Sequence, residues 1–411
     1  MSIEKKVPDI RFNGFNDEWQ EKKLGDIGEI KTGPFGSSLH AEAYVTDGHA
    51  IITTEHFKLG KLPVDKDGIP QVCDDDYSRL KSYLLKSGDI VFSRVGSVDI
   101  NAHVTDKQEG WLFSGRVLRV RSDESIDSEY LHQELSTSRV KKSVVSRAVG
   151  QTMPSINTEI LKTTPIYTPT DKTEQKKIGV GLKKIDILIN QHRQKHEKLI
   201  QLKDAMLEKM FPKAGERVPE IRFGGFSGEW EEERLGDVVS CFSGGTPAVG
   251  VEEYYKGSIP FIRSSEINKA STELKISESG INNSSAKVVE VGTVLYALYG
   301  ATSGEVGRAK LRGAINQAIL AIIPATKLCP EFLSQWLRKC KSSIVNTYLQ
   351  GGQGNLSGDI VKNLVLISPT FEEQKSIGNY FQKLDALINQ HQQQITKLNT
   401  IKQACLDKMF V

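Results

Sequence analysis

Long apolar runs, paired cysteines and a charge excess of either sign are all missing from this 411-residue chain. No stretch approaches the ~20 consecutive apolar residues that span a bilayer. The first residues, MSIEKKVPDIRF, carry no apolar signal-peptide core. A cytoplasmic location is expected, with no membrane partner. The cysteines number five (Cys73, Cys241, Cys329, Cys340, Cys405), an odd count, widely spaced and never in a CxxC pair. Reduced thiols are expected, and no zinc site. Lys and Arg total 54 against 51 Asp and Glu, a net charge of +3, too small to demand a nucleic-acid partner by itself.

Catalytic signatures are missing too. There is no GxxxxGK[ST] phosphate loop, no HExxH and no GxSxG elbow. There is also no Asn/Asp-Pro-Pro-aromatic segment of the kind that holds a flipped adenine. Gly179-Val180-Gly181 sits in a helical pattern, whereas a dinucleotide fingerprint follows a strand. Asp74, Asp75 and Asp76 read as an exposed acidic turn, with a metal site as the alternative. Pro8-Asp9 with Glu21-x-Lys23 fits the loose spacing of a metal-dependent nuclease. A second copy, Pro219-Glu220 with Glu232-x-Arg234, lacks the lysine that such chemistry needs. No catalytic residue and no metal ligand is assigned.

What the chain does contain is a frame written twice. PDIRFNGFNDEWQEKKLGDIGEI (8–30) returns as PEIRFGGFSGEWEEERLGDVVSC (219–241), and the 174–211 segment beginning EQKKIG returns at 373–410 as EQKSIG. The stretches between differ in length and in nearly all residues. A constant frame around two variable fillings is built to present two different surfaces. With 38% hydrophobic residues, each half holds enough apolar material for its own core.

Within each half, short apolar runs alternate with turns: HAIIT (49–53), GDIVFSRVG (88–96) and GRVLRVR (115–121), then SIPFIRSS (258–265), GTVLYALYG (292–300) and AILAIIP (318–324). Their length, β-branched content and glycine punctuation predict a mainly β module. A helix is predicted over 129–148 and again over 330–349. Gly/Gln loops follow (VGQTMPS, GGQGNLS), then a short strand ending at Pro169 or Pro369. Acid-free basic windows, with Arg139, Lys141, Lys142 and Arg147 in one and Arg338, Lys339 and Lys341 in the other, face either phosphates or plain solvent.

The repeated tails carry a stripe at alternating spacings of four and three: Ile178, Leu182, Ile185, Ile189, His192, His196, Leu199, and Ile377, Phe381, Leu384, Ile388, His391, Ile395, Leu398. Leu202, Met206 and Met210 extend the first stripe, and Ile401, Cys405 and Met409 the second. This is a coiled-coil seam on a helix roughly 55 Å long. A lone helix of this kind is marginal in water, so the two are expected to pair antiparallel. His192 and His391, each at its helix midpoint, would then meet and fix the register; a metal or pH switch is the alternative.

These features resemble the specificity subunit of type I restriction–modification systems over essentially the whole chain. The resemblance rests on the duplicated LGD openings, GPFGSSL and SGGTP, GDIVFSRVG and GTVLYALYGATSGEVG, IPFIRSSEI, and the helices containing IDILINQH and LDALINQH. Residues 88–104 depart from it, with GSVDINAHV where the second half has GATSGEVGRA. The resemblance implies an α+β fold: two mainly β target recognition domains, related by a pseudo-twofold axis and joined by two long antiparallel helices. Its domains fall at 1–170 (1–20 packing near the C-terminal helix), 171–212, 213–370 and 371–411. It further implies that each domain reads half of an asymmetric split site in double-stranded DNA. The helices would space the halves and dock two modification (methyltransferase) subunits. S-adenosylmethionine would act on those subunits, ATP and Mg on restriction (translocase/nuclease) subunits, and this chain would be non-catalytic.

DNA contacts are expected at turn tips and strand ends: Ser37, Ser38, Thr53, Thr54, Arg94, Ser97, Arg147 and Gln151 in the first half, and Thr246, Arg263, Ser264, Ser265, Tyr299, Thr302, Gln350 and Gln353 in the second. Arg is the commonest reader of guanine, and Ser or Thr serves bases or phosphates; otherwise the hydroxyls close turns and the arginines pair with carboxylates. The competing function is a non-DNA scaffold of two β modules on a coiled coil. A self-contained nuclease or methyltransferase would need a site the sequence does not show.

Overall fold

The structure is a computed structural model that describes residues 6–34, 39, 43–349 and 355–411. The chain packs as two compact units, one formed by Met1–Arg193 with Gln393–Val411, the other by Gln194–Gln392. Each unit takes part of both long helices, whereas the sequence reading sets each helix apart as its own segment.

The strands of the first unit are β1 (Gln20–Lys23), β2 (Gly28–Thr32), β3 (Tyr44–Val45), β4 (His49–Ile52), β5 (Gln71–Val72), β6 (Ile90–Ser93), β7 (Asn101–His103), β8 (Leu112–Phe113), β9 (Val117–Ser122) and β10 (Pro165–Thr168). Its helices are α1 (Asp74–Arg79), α2 (Ser128–Glu134), α3 (Ser138–Ser146), α4 (Thr158–Lys162) and the first part of α5 (Lys172–Lys209). An antiparallel sheet ordered β2-β9-β6-β7 faces a smaller sheet ordered β3-β5-β4-β8, in which β4 and β8 run parallel. Period-two alternation sorts the side chains. Ile90, Phe92, Leu118 and Val120 join the helices and Trp19 in one core, while Val91 and Val117 join Ile52, Ala102 and Phe113 in another. Each such side chain contributes about 1.5–3 kcal/mol by leaving water.

The second unit repeats this plan with β11 (Glu231–Arg234), β12 (Val239–Ser243), β13 (Ile259–Ile262), β14 (Leu274–Ile276), β15 (Lys287–Val289), β16 (Val294–Ala297), β17 (Val306–Arg308), β18 (Gly313–Ile315), β19 (Ile319–Pro324) and β20 (Val365–Ser368). Its helices are α6 (Leu235–Val238), α7 (Glu278–Asn282), α8 (Pro330–Leu349), α9 (Gly358–Lys362) and the first part of α10 (Phe371–Lys408). The larger sheet, β12-β19-β16-β17, matches its counterpart strand for strand, and β13–β18 repeats the parallel pair. The edges differ: β3 lies outside β5 in the first unit, whereas β15 lies outside β18 in the second.

One predicted helix needs correcting. Residues 330–349 form the continuous α8, but 129–148 break into α2 and α3. The break lies at Ser136 and Thr137, whose hydroxyls donate back to the carbonyls of His132 (2.9 Å) and Glu134 (2.7 Å). Thr137 then caps α3 by accepting from the Val140 N–H.

The repeated sequence builds a repeated joint. Arg11 grips Glu174 through two bonds of 2.6 and 2.8 Å, and Arg222 grips Glu373 through two of 2.7 Å. Gln175 accepts from the Asp127 N–H at 2.8 Å and donates to the Pro169 carbonyl at 2.9 Å; Gln374 does the same with Cys329 and Pro369, both at 2.9 Å. The Ile10 N–H donates to the Lys408 carbonyl, and the Ile221 N–H to the Lys209 carbonyl, both at 2.8 Å. Trp19 packs edge-on to Phe410 in the first unit, as Trp230 does to Phe211 in the second. Gly179 and Gly378 let α5 and α10 abut the neighbouring helix starts: an ideal Cβ would stand 2.6 Å from the Tyr130 nitrogen or the Glu331 Cβ.

Each long helix has 38 residues. In the first unit Ile178, Leu182 and Ile189 are buried, Ile185, His192 and Leu398 are half-buried, and Leu406 and Phe410 of the returning chain join the same core. Lys402 holds Asp186 there by two bonds of 2.8 Å. In the second unit Ile377, Phe381 and Leu384 are buried, Ile388, His391 and Leu199 are half-buried, and Lys203 holds Asp385 at 2.6 Å. The two helix segments in each unit run antiparallel. Within each unit the copied Asp–Lys pair fixes the register of the two segments. Leu202 and Ile401, expected on the stripe, are 39% and 40% exposed. A 3.6-residue turn drifts off a 3.5-residue repeat, and Lys203 and Lys402 take the inward positions beside them.

Candidate nucleic-acid interface

Three backbone links gather one end of each module. In the first unit the Ser114 N–H donates to the Ile52 carbonyl (2.8 Å), Arg94 to Arg116 (2.9 Å) and Gly33 to Val117 (3.1 Å). The second unit repeats the first two, Asn316 to Ile262 (3.4 Å) and Leu298 to Ala318 (2.8 Å), and ties the chain leaving β12 to β18 through Gly245 to Ile315 (3.2 Å). The exits of β4 and β6, the β8–β9 turn and the chain leaving β2 thus meet at one end. Only glycine fits where that chain passes, since a Cβ at Gly33 would lie 2.1 Å from the Ser114 carbonyl oxygen and one at Gly244 1.8 Å from that of Ile315.

In the first unit this end holds Thr53, Thr54, Arg94 and Ser97. Thr53 starts a short turn, its N–H donating to His56 Nδ1 at 3.0 Å. Thr54 is half-buried and Ser97 exposed. Arg94 is half-buried and donates one N–H to the Gly115 carbonyl at 3.0 Å. Gln151 is exposed on a loop closed by the Val149–Ser155 pair, and that loop is tied to the β6 exit by the Gly96 N–H donating to the Pro154 carbonyl at 2.8 Å. Arg147 works elsewhere. It donates to the Ser143 carbonyl and to the hydroxyls of Thr163 (2.9 Å) and Thr164 (2.7 Å), pinning α3 to α4.

In the second unit Thr246 is exposed and donates to Gln317 Oε1 at 2.5 Å. Arg263 occupies the position of Thr53, but Glu266 (3.1 Å) and Glu273 (2.5 Å) hold its guanidinium. These bonds push its pKa up further. Its guanidinium is engaged by both carboxylates in this structure. Ser264 and Ser265 open the turn after it, half-buried and exposed respectively. Tyr299 is half-buried, its hydroxyl pKa raised by burial. Thr302 is half-buried in the following turn, where its carbonyl accepts from the Glu305 N–H at 2.9 Å. Ser37, Ser38, Gln350 and Gln353 lie outside the described residues.

The basic windows are acid-free only along the sequence. Arg139 bonds to Glu134 and the Val411 carbonyl, Arg338 to Asp385, Lys341 to Glu305, and Lys339 to the carbonyls of Phe211 and Pro212. Glu134 lies at the edge of its window, whereas Asp385 and Glu305 come from distant segments; Lys142 is exposed. Conversely, Arg116 is exposed on the β8–β9 turn at the gathered end and was not singled out; Gly-Arg just before a strand was the signal. The acidic turn behaves as a structural element: Asp74 meets His49 at 2.8 Å and Asp76 meets Arg79 at 2.5 Å. Among the described residues no group of three or more His, Cys, Asp or Glu is placed to hold a metal, and no helix is long and apolar enough to cross a membrane.

Residues 16–201 and 227–400 each match the model of the type I restriction modification DNA specificity domain. The chain is 27% identical over 199 residues to the type I restriction enzyme MjaVIII specificity subunit of Methanocaldococcus jannaschii, covering 48% of this chain and 43% of that protein. It is 25% identical over 171 residues to the EcoR124I/EcoR124II specificity subunit of Escherichia coli, covering 39% of this chain and 42% of that protein. It thus spans less than half the length of these curated relatives. The fold is similar to the crystal structure of the type I restriction–modification S subunit from M. genitalium, with a TM-score of 0.71 at 16% identity over 98% of this chain and 99% of that one. A structure solved for complex assembly and conformational transition of the type I R-M system gives a TM-score of 0.52 at 18% identity, covering 95% of this chain and 97% of that one.

Proposed function

The chain belongs to the type I restriction modification DNA specificity family, and on that premise we propose that it is the sequence-reading subunit of a restriction–modification complex, each unit binding one half of an asymmetric, two-part DNA site. The observation that carries this reading is the contrast between frame and end. The Arg–Glu, Gln–backbone and Asp–Lys contacts are the same in both units, while the gathered ends differ: Thr53 against Arg263, Arg94 against Leu298. Base-edge contacts specify and backbone contacts only position, so two unlike ends on one frame read two unlike sequences. Arg94, Arg116, Ser97 and Gln151 are proposed for the first half-site, and Thr246, Ser264, Ser265 and Tyr299 for the second, with Arg263 acting after exchange of its carboxylates.

The paired helices are proposed to fix the spacing of the half-sites and to dock two modification subunits. Adenine methylation with S-adenosylmethionine, and ATP- and Mg-dependent translocation and cleavage, would reside on those partners and on restriction subunits. The test is co-expression with the modification subunits and genome-wide mapping of methylated adenines. One split, two-part motif is expected. Methylation without a motif, or by the purified chain alone, overturns the reading, and absence of salt-dependent DNA affinity in the assembled complex favours the scaffold instead.

A further inference from the structure

A concavity in the first unit has no part in the gathered end. It is an open concavity of about 600 Å3 between the 58–64 loop, the start of β7, α2 and the facing stretches of α5 and α10, a size that suits a small molecule. Its charges do not balance. Glu129 is taken by Lys183 and by His103 Nδ1 at 3.2 Å, and Asp186 by Lys402 at 2.8 Å and Gln133 Nε2 at 3.2 Å. That leaves Lys58, Lys61 and Lys141 on the lining against Asp99 alone. Lys61 is half-buried and donates to Asn190 Oδ1. Among the described residues no carboxylate lies within ion-pair distance of Lys61 or Lys141. Burial lowers the Lys61 pKa; Asp186 opposes this, and Arg193 and Lys402 add to it.

The wall also holds a polar pair with a fixed orientation. Asn101 Nδ2 donates to the Leu135 carbonyl at 3.2 Å, so Asn101 Oδ1 accepts from His132 Nδ1 at 2.7 Å. The proton therefore sits on Nδ1, and His132 Nε2 keeps its lone pair for whatever fills the space. In the second unit Val306 and Ser334 stand at the positions of Asn101 and His132, so the pair is no part of the common frame. The rim is apolar, with Leu59 82%, Val64 66% and Ile187 46% exposed.

We propose that this cavity binds a free phosphorylated ligand of nucleotide size. Lys61 and Lys141 take the anion, a donor on the ligand meets His132 Nε2, and its ring lies against Leu59 and Ile187. An anion offsets the desolvation of two half-buried ammonium groups that have no carboxylate within ion-pair distance. The phosphates of duplex DNA share the chemistry, and the competition experiment separates the two sources.

The experiment is calorimetric titration of the full chain, at fixed ionic strength, with ADP, with inorganic phosphate and with an oligo-glutamate peptide. ADP is expected to bind more tightly than either of the others. The double variant Lys61→Met/Lys141→Met should weaken ADP at least tenfold, while Lys142→Met on the exposed side of α3 leaves it unchanged. Duplex affinity should stay at the wild-type level in the double variant, which separates this inference from the DNA-reading proposal. Absent ADP binding, phosphate or acidic peptide binding as tightly as ADP, or an unchanged double variant each overturns it. Should the double variant misfold, competition on the wild type decides: duplex DNA that displaces bound ADP overturns the proposal, and simultaneous binding supports it.

Discussion

At the scale of single residues, the joint between frame and module rests on two buried carboxylates. Glu174 and Glu373 are each about 1% exposed and each is held by one arginine. Removing the arginine orphans a buried charge, which costs about 3–5 kcal/mol. Arg11→Ala and Arg222→Ala should each lower stability by that order in chemical denaturation, and Glu174→Gln by less, since it also removes the charge. Glu134 adds a pH dependence. Burial raises its carboxyl pKa from 4.5 to about 7, against the pull of Arg139. A folded-state value above the unfolded one contributes stability that is complete below pH ~4.5 and is lost as pH rises through ~7. Glu134→Gln should therefore gain stability over the parent between pH 5 and pH 8, by no more than about 3 kcal/mol; a melting-temperature difference that is flat with pH rejects this. His103 and His132 have pKa values lowered chiefly by burial. They act in the opposite sense: their contribution holds above the ordinary imidazole value and is lost as pH falls through the lowered one. None of these roles was legible in sequence. Arg11 and Glu174 stand 163 residues apart, and no local pattern says that they meet.

At the scale of elements, periodicity carried far. The alternating runs became β4, β6, β9, β13, β16 and β19, and the four-three stripe became α5 and α10. Reading failed where a side chain competes with the backbone, and it did not see polar pairs whose members lie far apart along the chain. Ser136 and Thr137 broke one helix, and the Asp186–Lys402 and Lys203–Asp385 pairs that tie the segments within each unit were not read from the stripe. Exchanging the charges at one pair alone (Asp186→Lys) should destabilise the helices, and adding Lys402→Asp should restore most of the loss; a double variant no better than the single would show that the pair does not set the register. Adding one heptad to both helices should lengthen the unspecified gap between methylated half-sites, and an unchanged gap would mean that the helices do not act as the ruler.

At the scale of the whole molecule, the near-identical frame predicts that modules are exchangeable. Replacing residues 243–357 with the corresponding variable stretch of another specificity subunit should change one half of the methylated motif and leave the other intact. A motif altered in both halves would contradict independent reading. The sequence by itself determined that there are two modules, that each is mainly β, and that long paired helices join the plan, because repeats and periodicity are local properties of the chain. Only the tertiary structure decided which candidates share an end, that Arg263 and three cations of the basic windows (Arg139, Arg338 and Lys341) are already matched by acids, and that Lys61, Lys141 and His132 line one cavity. Charge balance and burial depend on neighbours brought from far along the chain, and those neighbours exist only once it has folded.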